Sequence, residues 1–261
     1  MAQQHDTSAQ ANRGAGWAQA IASLGAIAGT LLVNTLSNLY PPGGQNVGEI
    51  ANTVLAGVKI TPANYAFAIW GLIYLGLIAY GVYQLGPAQR RDRTLRRVNV
   101  LLIVACLSQM GWIFLFTTQA FAGSIVAMLG ILLPLIGIDQ VLGRSAKPAH
   151  RARRWYVRYP FSLYLGWIAV ATVVNVASAL YAAGWGGWGI GPVGWTVLMV
   201  LVSGAIAAIV TWQHADIPFV LVFVWAWVAI AVRNTATPAI QVAALGVAVI
   251  TLGLLGWRRW R

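Results

Sequence analysis

Four sets of side chains recur at helical spacing and carry what chemistry this sequence offers. Tyr164, Trp167, Ala171, Asn175 and Ser178 lie three or four residues apart, as do Gln109, Trp112, Phe116 and Gln119. Ser23, Thr30, Asn34 and Ser37 share a third helical face, and Phe67, Trp70 and Tyr74 share a fourth. Such residues stack on flat apolar groups and exchange neutral hydrogen bonds. Two readings stand. The polar groups are glue between helices, each worth about 0.6–2 kcal/mol, or they belong to an aromatic-walled pocket with a few hydrogen-bonding groups. Asparagine and serine by themselves favour glue. Trp70, Trp112 and Trp167 favour a pocket, because tryptophans in the middle of an apolar run are not interface anchors.

The elements that must position these groups follow from composition. The chain has 261 residues, 59% hydrophobic and 8% charged, where a soluble domain carries roughly 25% charged residues. Eight apolar runs are long enough for transmembrane helices: 17–36, 61–85, 98–118, 121–142, 159–181, 192–211, 217–232 and 238–257. The expected fold is an all-α membrane protein with eight transmembrane helices. The first run is too long for a signal peptide and follows a single arginine, so it reads as a span. Residues 1–16 are polar and read as a disordered cytoplasmic N-terminus. Pro41, Pro42, Gly43 and Gly44 mark a loop over 38–60.

The net charge of +12 suggests a nucleic-acid partner, but its distribution argues against one. Eleven of the 17 Lys and Arg fall in two short segments, 90–97 and 143–158, and three more are Arg258, Arg259 and Arg261. Positive charge so placed orients a membrane protein. Both basic loops and both termini are expected in the cytoplasm, and loop 38–60 outside. Arg233 is the one exception, a cation on the outer side.

Several functions are excluded or disfavoured. A rhodopsin needs a lysine within a span, and Lys59 and Lys147 are both in loops. His5, His150 and His214 are terminal or in loops, which disfavours histidine-ligated haem. Asp139 and Asp216 are the few carboxylates near spans, too few for a proton-coupled pump or a metal hydrolase. The lone Cys106 allows neither an intrachain disulfide nor a cysteine metal cluster. Gly189-x-Gly191-x-x-Gly194 spells a dinucleotide fingerprint, but no strand precedes it. Gly25-x-x-x-Gly29 is a helix-packing signal, and Arg158-x-x-Phe161-x-Leu163 fits an inverted cholesterol pattern common by chance.

Three of the striped segments resemble one family. Residues 61–74 carry Pro62, Trp70 and Tyr74 in the places of P-P-x-W-V-F-x-P-V-W-x-x-L-Y, the second-helix motif of the TspO/translocator proteins, or tryptophan-rich sensory proteins. Asn64 replaces that motif's first Trp, and Ala68 its later Pro. Gln109 and Trp112 resemble L-N-x-x-W, with Gln109 in place of Asn. The run from Tyr164 to Asn175 is close to Y-L-x-W-x-x-x-A-T-x-x-N, the most specific of the three matches.

The resemblance covers 17–185 and implies a five-helix bundle, with residues 186–261 adding three helices and a basic tail. It implies a pocket opening toward the first loop, ligands of tetrapyrrole, sterol or isoquinoline type, and homodimerisation. Asn64 puts tetrapyrrole binding in doubt. The expected ligand-binding residues are Asn34, Trp70, Tyr74, Gln109, Trp112, Tyr164, Trp167 and Asn175, with loop 38–60 as the lid. No catalytic residue, metal or required cofactor is expected. The expected partners are membrane lipid and a hydrophobic small molecule, and the expected location a bacterial plasma membrane. A small-solute or lipophile transporter is the alternative, and tetrapyrrole breakdown at a tryptophan comes third.

Overall fold

A computed structural model describes residues 2–143 and 151–260, with side chains from Gly16 onward; the part of the second basic loop at 144–150 lies outside the described residues. In chain order the elements are α1 (Ala2–Leu39), α2 (Val47–Asn52), a 3-10 turn (Asn64–Ala68), α3 (Ile69–Tyr83) and α4 (Pro87–Arg90). Then come α5 (Arg93–Thr117), α6 (Phe121–Gly143), α7 (Arg151–Arg153), a π turn (Arg154–Arg158) and α8 (Tyr159–Ala182). A second 3-10 turn (Gly187–Gly189) precedes α9 (Pro192–His214), α10 (Ile217–Arg233) and α11 (Pro238–Trp260). No strand occurs among the described residues, so the glycine pattern at 189–194 has no dinucleotide-binding context. Helix α1 begins at Ala2, within the stretch that the sequence leaves unstructured.

Local chemistry explains the helix starts. Asp92 caps α5, accepting from the Thr94 amide at 2.8 Å, and Asp216 caps α10 through the Phe219 amide at 3.3 Å. Proline opens α9 and α10, where its missing N–H costs nothing, while Pro160 of α8 directly follows the π turn within one continuous helix. Asp92 also meets Arg153 at 2.7 Å, tying the start of α5 to α7. Partial burial pushes the Asp92 carboxyl up, but the Thr94 amide and the Arg153 guanidinium outweigh it and hold the group below its ordinary value.

Among the described residues, seven helices are long and apolar enough to cross a membrane. The eighth expected span is α10, a shorter apolar helix of 17 residues. At 1.5 Å per residue it is roughly 25 Å long, short of a hydrocarbon core of about 30 Å. It is the most enclosed of the late helices, with Val220, Phe223, Ala226 and Trp227 at most 1% exposed. Helix α1 lies on α5, α5 on α6, α6 on α8, and α3 on α8, while α9, α10 and α11 pack on one another. Helix α10 joins the two groups by packing on α8. Gly166 permits this approach: a Cβ there would meet the Phe219 carbonyl and Val222 at 3.2 Å. Gly29 faces Met110 of α5 at 3.6 Å while Gly25 faces open space, so the Gly25-x-x-x-Gly29 pattern packs at one end only. One apolar core runs from α1 through α11.

Candidate functional site

The eight residues expected to bind a ligand come together between α1, α3, α5 and α8, but they separate into two sets. The first set is spent on itself. Asn34 Nδ2 donates to Tyr74 Oη, Gln109 Nε2 donates to the same oxygen at 3.1 Å, and Tyr164 Oη donates to Gln109 Oε1. Asn34 Oδ1 accepts from Asn38 at 2.9 Å. This relay crosses four helices, and Gln109 and Tyr164 within it are fully buried. A satisfied buried network rigidifies helix packing, which is the glue reading for these four residues.

The second set is aromatic and faces space. Trp70 stacks on Tyr74 and meets Trp167 edge-on at 6.4 Å between centroids, and Phe67 meets Trp167 at 6.1 Å. Trp112 and Phe116 continue the wall from α5. Together they enclose a slot of about 50 Å³, room for only a few water-sized groups. Three buried polar side chains line it, Thr61, Asn175 and Ser178, the last donating to the Val174 carbonyl at 2.8 Å. Asn175 Oδ1 accepts from Trp112 Nε1 at 3.1 Å and from Ser124 Oγ at 3.2 Å. Asn175 Nδ2 and Thr61 Oγ1 find no partner among the described residues. Asn175 is 3% exposed, and an unmade hydrogen bond at such a position costs about 1–3 kcal/mol.

Outside the slot, and sharing Val47, Phe67, Trp70 and Trp112 with it, lies a wider cleft of about 510 Å³. Asparagines dominate its rim: Asn34, Asn38, Asn46, Asn52 and Asn64. Glu49 is the one charged residue among the described lining, and it is engaged in capping α2, accepting from the Asn46 amide at 2.8 Å. Asn64, which stands where the resembled motif has Trp, accepts from Asn52 Nδ2 at 2.8 Å. The Gln109 stripe stops short of Gln119, which is exposed in the α5–α6 turn with φ +61°.

Helix α2 roofs the cleft, and α10 holds that roof. Arg233 donates to Asn52 Oδ1 at 2.8 Å and to the Ala51 carbonyl at 2.9 Å. Asn234 donates to the Lys59 carbonyl at 2.8 Å, and the Ala63 amide donates to the Ala229 carbonyl at 3.1 Å. Trp225 of α10 donates to the Ala66 carbonyl at 3.1 Å, ahead of α3. Sequence reasoning missed these contacts. The one signal was that Arg233 breaks the charge asymmetry of the loops.

Comparison with curated proteins returns no match, and comparison with solved structures returns none. A family model described as TSPO-like protein matches residues 20–257, extending through α9, α10 and α11 beyond the motif resemblance at 17–185. With that match running from the first long helix to the last, over a chain whose aromatic slot sits on the motif residues Trp70, Trp112, Trp167 and Asn175, the chain belongs to the TSPO-like protein family.

Proposed function

We propose that this chain is a TspO-like membrane binding protein that admits a flat, apolar, uncharged ligand through the asparagine-rimmed cleft. The ligand's body stacks on Trp70, Trp112 and Trp167. Its inner end carries a hydrogen-bond acceptor, a carbonyl or hydroxyl oxygen, for Asn175 Nδ2. That unpartnered buried N–H at the slot is the observation that carries the reading. It marks a group a ligand would satisfy, at a favourable gain over leaving it unmade. The wide cleft is within the size range of small-molecule sites, and the slot is below it. Binding therefore widens the slot by moving Phe67 or α2. A tetrapyrrole bearing carboxylates finds no cation among the described lining residues, and Glu49 opposes it. A neutral sterol-like or isoquinoline-type molecule suits the lining better. On the charge of segments 90–97 and 143–158, the cleft opens to the outside and both termini are cytoplasmic.

Tryptophan-fluorescence quenching tests this reading with an isoquinoline carboxamide and with protoporphyrin. The carboxamide quenches with the higher affinity, and Trp70→Phe and Trp167→Phe each weaken it about tenfold, the loss of one good aromatic contact. If both variants leave quenching by every ligand unchanged, the slot is not a binding site.

A further inference from the structure

At the opposite end of α5 from the aromatic slot lies an open cleft of about 540 Å³ between α1, α5 and α6. Arg93, Arg96 and Arg97 line it from the first turns of α5, and Gln19 of α1 accepts from Arg96 Nε at 3.1 Å. Arg93 and Arg97 are exposed. No carboxylate is among the described residues that line it, and neighbouring Asp92 is engaged with Arg153. Three guanidinium groups thus concentrate on one concave surface in a chain with only 5 acidic residues.

The floor of the same cleft is apolar. Val100, Leu101 and Val141 lie directly beneath the arginines. From Val100 the outward face of α5 continues through Val104 and Leu107, which are 48%, 44% and 56% exposed in that order. Their spacing of four and three residues makes one straight stripe along the helix. Trp17, half-exposed on α1 with Arg90 over its ring at 3.7 Å, sits two residues before Gln19. Such a tryptophan marks the depth of the membrane interface. The cationic part of the cleft is therefore at headgroup level, and the stripe runs from it into the hydrocarbon.

From this arrangement we infer that the cleft is a binding site for one anionic phospholipid. Its phosphate lies among Arg93, Arg96 and Arg97, and one acyl chain follows Val100, Val104 and Leu107. A soluble phosphate ester would use the arginines and leave the stripe unused. A zwitterionic lipid would cover the stripe but bring its own ammonium to the arginines. Basic pockets between transmembrane helices select anionic headgroups for the same electrostatic reason. This site is separate from the aromatic slot and does not depend on the ligand proposed there.

Native mass spectrometry of the full-length protein provides the test, with phosphatidylglycerol or phosphatidylcholine of matched acyl chains added to the detergent. The wild type retains phosphatidylglycerol in preference. Arg93→Gln with Arg97→Gln, both exposed and remote from the core, lowers that preference about fivefold per arginine. Arg258→Gln with Arg259→Gln, the same charge change in the tail, leaves it unchanged. Equal retention of the two lipids by the wild type overturns the inference, as does an equal loss in the tail variant, which would mean bulk charge. Displacement of the lipid by inorganic phosphate at matched ionic strength would show a soluble-anion site and overturn it too.

Discussion

The two halves of the molecule use the same device and differ by one atom. In the α9–α11 group, Trp227 Nε1 donates to Ser203 Oγ at 2.9 Å, and that hydroxyl donates to the Val200 carbonyl at 2.7 Å. In the five-helix group, Trp112 Nε1 donates to Asn175 Oδ1, which also accepts from Ser124. Each pairs a tryptophan on one helix with a small polar side chain on another. Around Trp227 every polar atom has a partner, and the ring is 1% exposed. Around Asn175 the Nδ2 amide nitrogen is left without a partner, and it lies at a cavity. A tryptophan bonded to a polar partner is therefore structural where its hydrogen-bond count closes, and a candidate contact for a ligand where it does not.

That contrast can be broken, and the largest effect belongs to the closed half. Trp227→Ala empties a fully packed position and lowers stability on the order of 3 kcal/mol, the low end for a buried tryptophan because lipid replaces water as the reference. A thermal melt in detergent reads it, and a shift of only a degree or two would mean that α10 is not the packing centre of its group.

The next pair of variants sharpens the comparison directly. Ser203→Ala and Asn175→Ala each orphan a tryptophan N–H, at about 1–3 kcal/mol of stability. Only Asn175→Ala weakens the carboxamide ligand, by about tenfold, the worth of one buried hydrogen bond. Equal effects of the two on binding would erase the distinction between the halves.

Arg233→Gln tests whether the closed half controls the open one. Loss of its bonds to Asn52 and Ala51 should raise amide hydrogen exchange across 47–63 by about tenfold, since a charged hydrogen bond is worth about 1.5–3 kcal/mol before solvent screening. Helices α5 and α8 should keep their protection. Unchanged exchange at the roof would show that α2 is held by its own contacts.

Asp92 gives the smallest effect and lies at the start of α5, away from both tryptophan pairs. Its carboxyl titrates below its unfolded value, so its contribution is present above the unfolded value and is lost as pH falls through the folded one. Asp92→Asn should keep the cap, remove the Arg153 bridge and flatten that acid limb, at a cost of about 0.2–1 kcal/mol at neutral pH. A melt that loses stability with acid as steeply in the variant as in the wild type would assign the limb elsewhere.

Much of the candidate site is legible from spacing. Tyr164, Trp167 and Asn175 fall on one face because a helix repeats every 3.6 residues, whatever it packs against. The placement of Trp70 and Trp112 opposite them is also legible, through polar stripes that lipid would not tolerate. Which side chains satisfy one another is not legible, because Asn34, Tyr74, Gln109 and Tyr164 come from four helices and their bonds exist only once these pack. The closed set and the open set look alike in the sequence. Arg233 is similar: its charge is visible as an exception, but its partners lie about 180 residues earlier in the chain.

The sequence by itself determined that this is a multi-pass helical membrane protein, because long uncharged runs have no other solution in lipid. It also determined the family motifs and the faces that turn inward, which depend on local periodicity. Only the tertiary structure decided that α10 is a short, enclosed helix that holds the α2 roof over the site and packs on α8 at Gly166. It alone decided that the Nδ2 amide of Asn175 remains unpaired beside a slot. Hydrogen-bond counts and cavities are properties of several helices at once, and no single stretch of chain contains them.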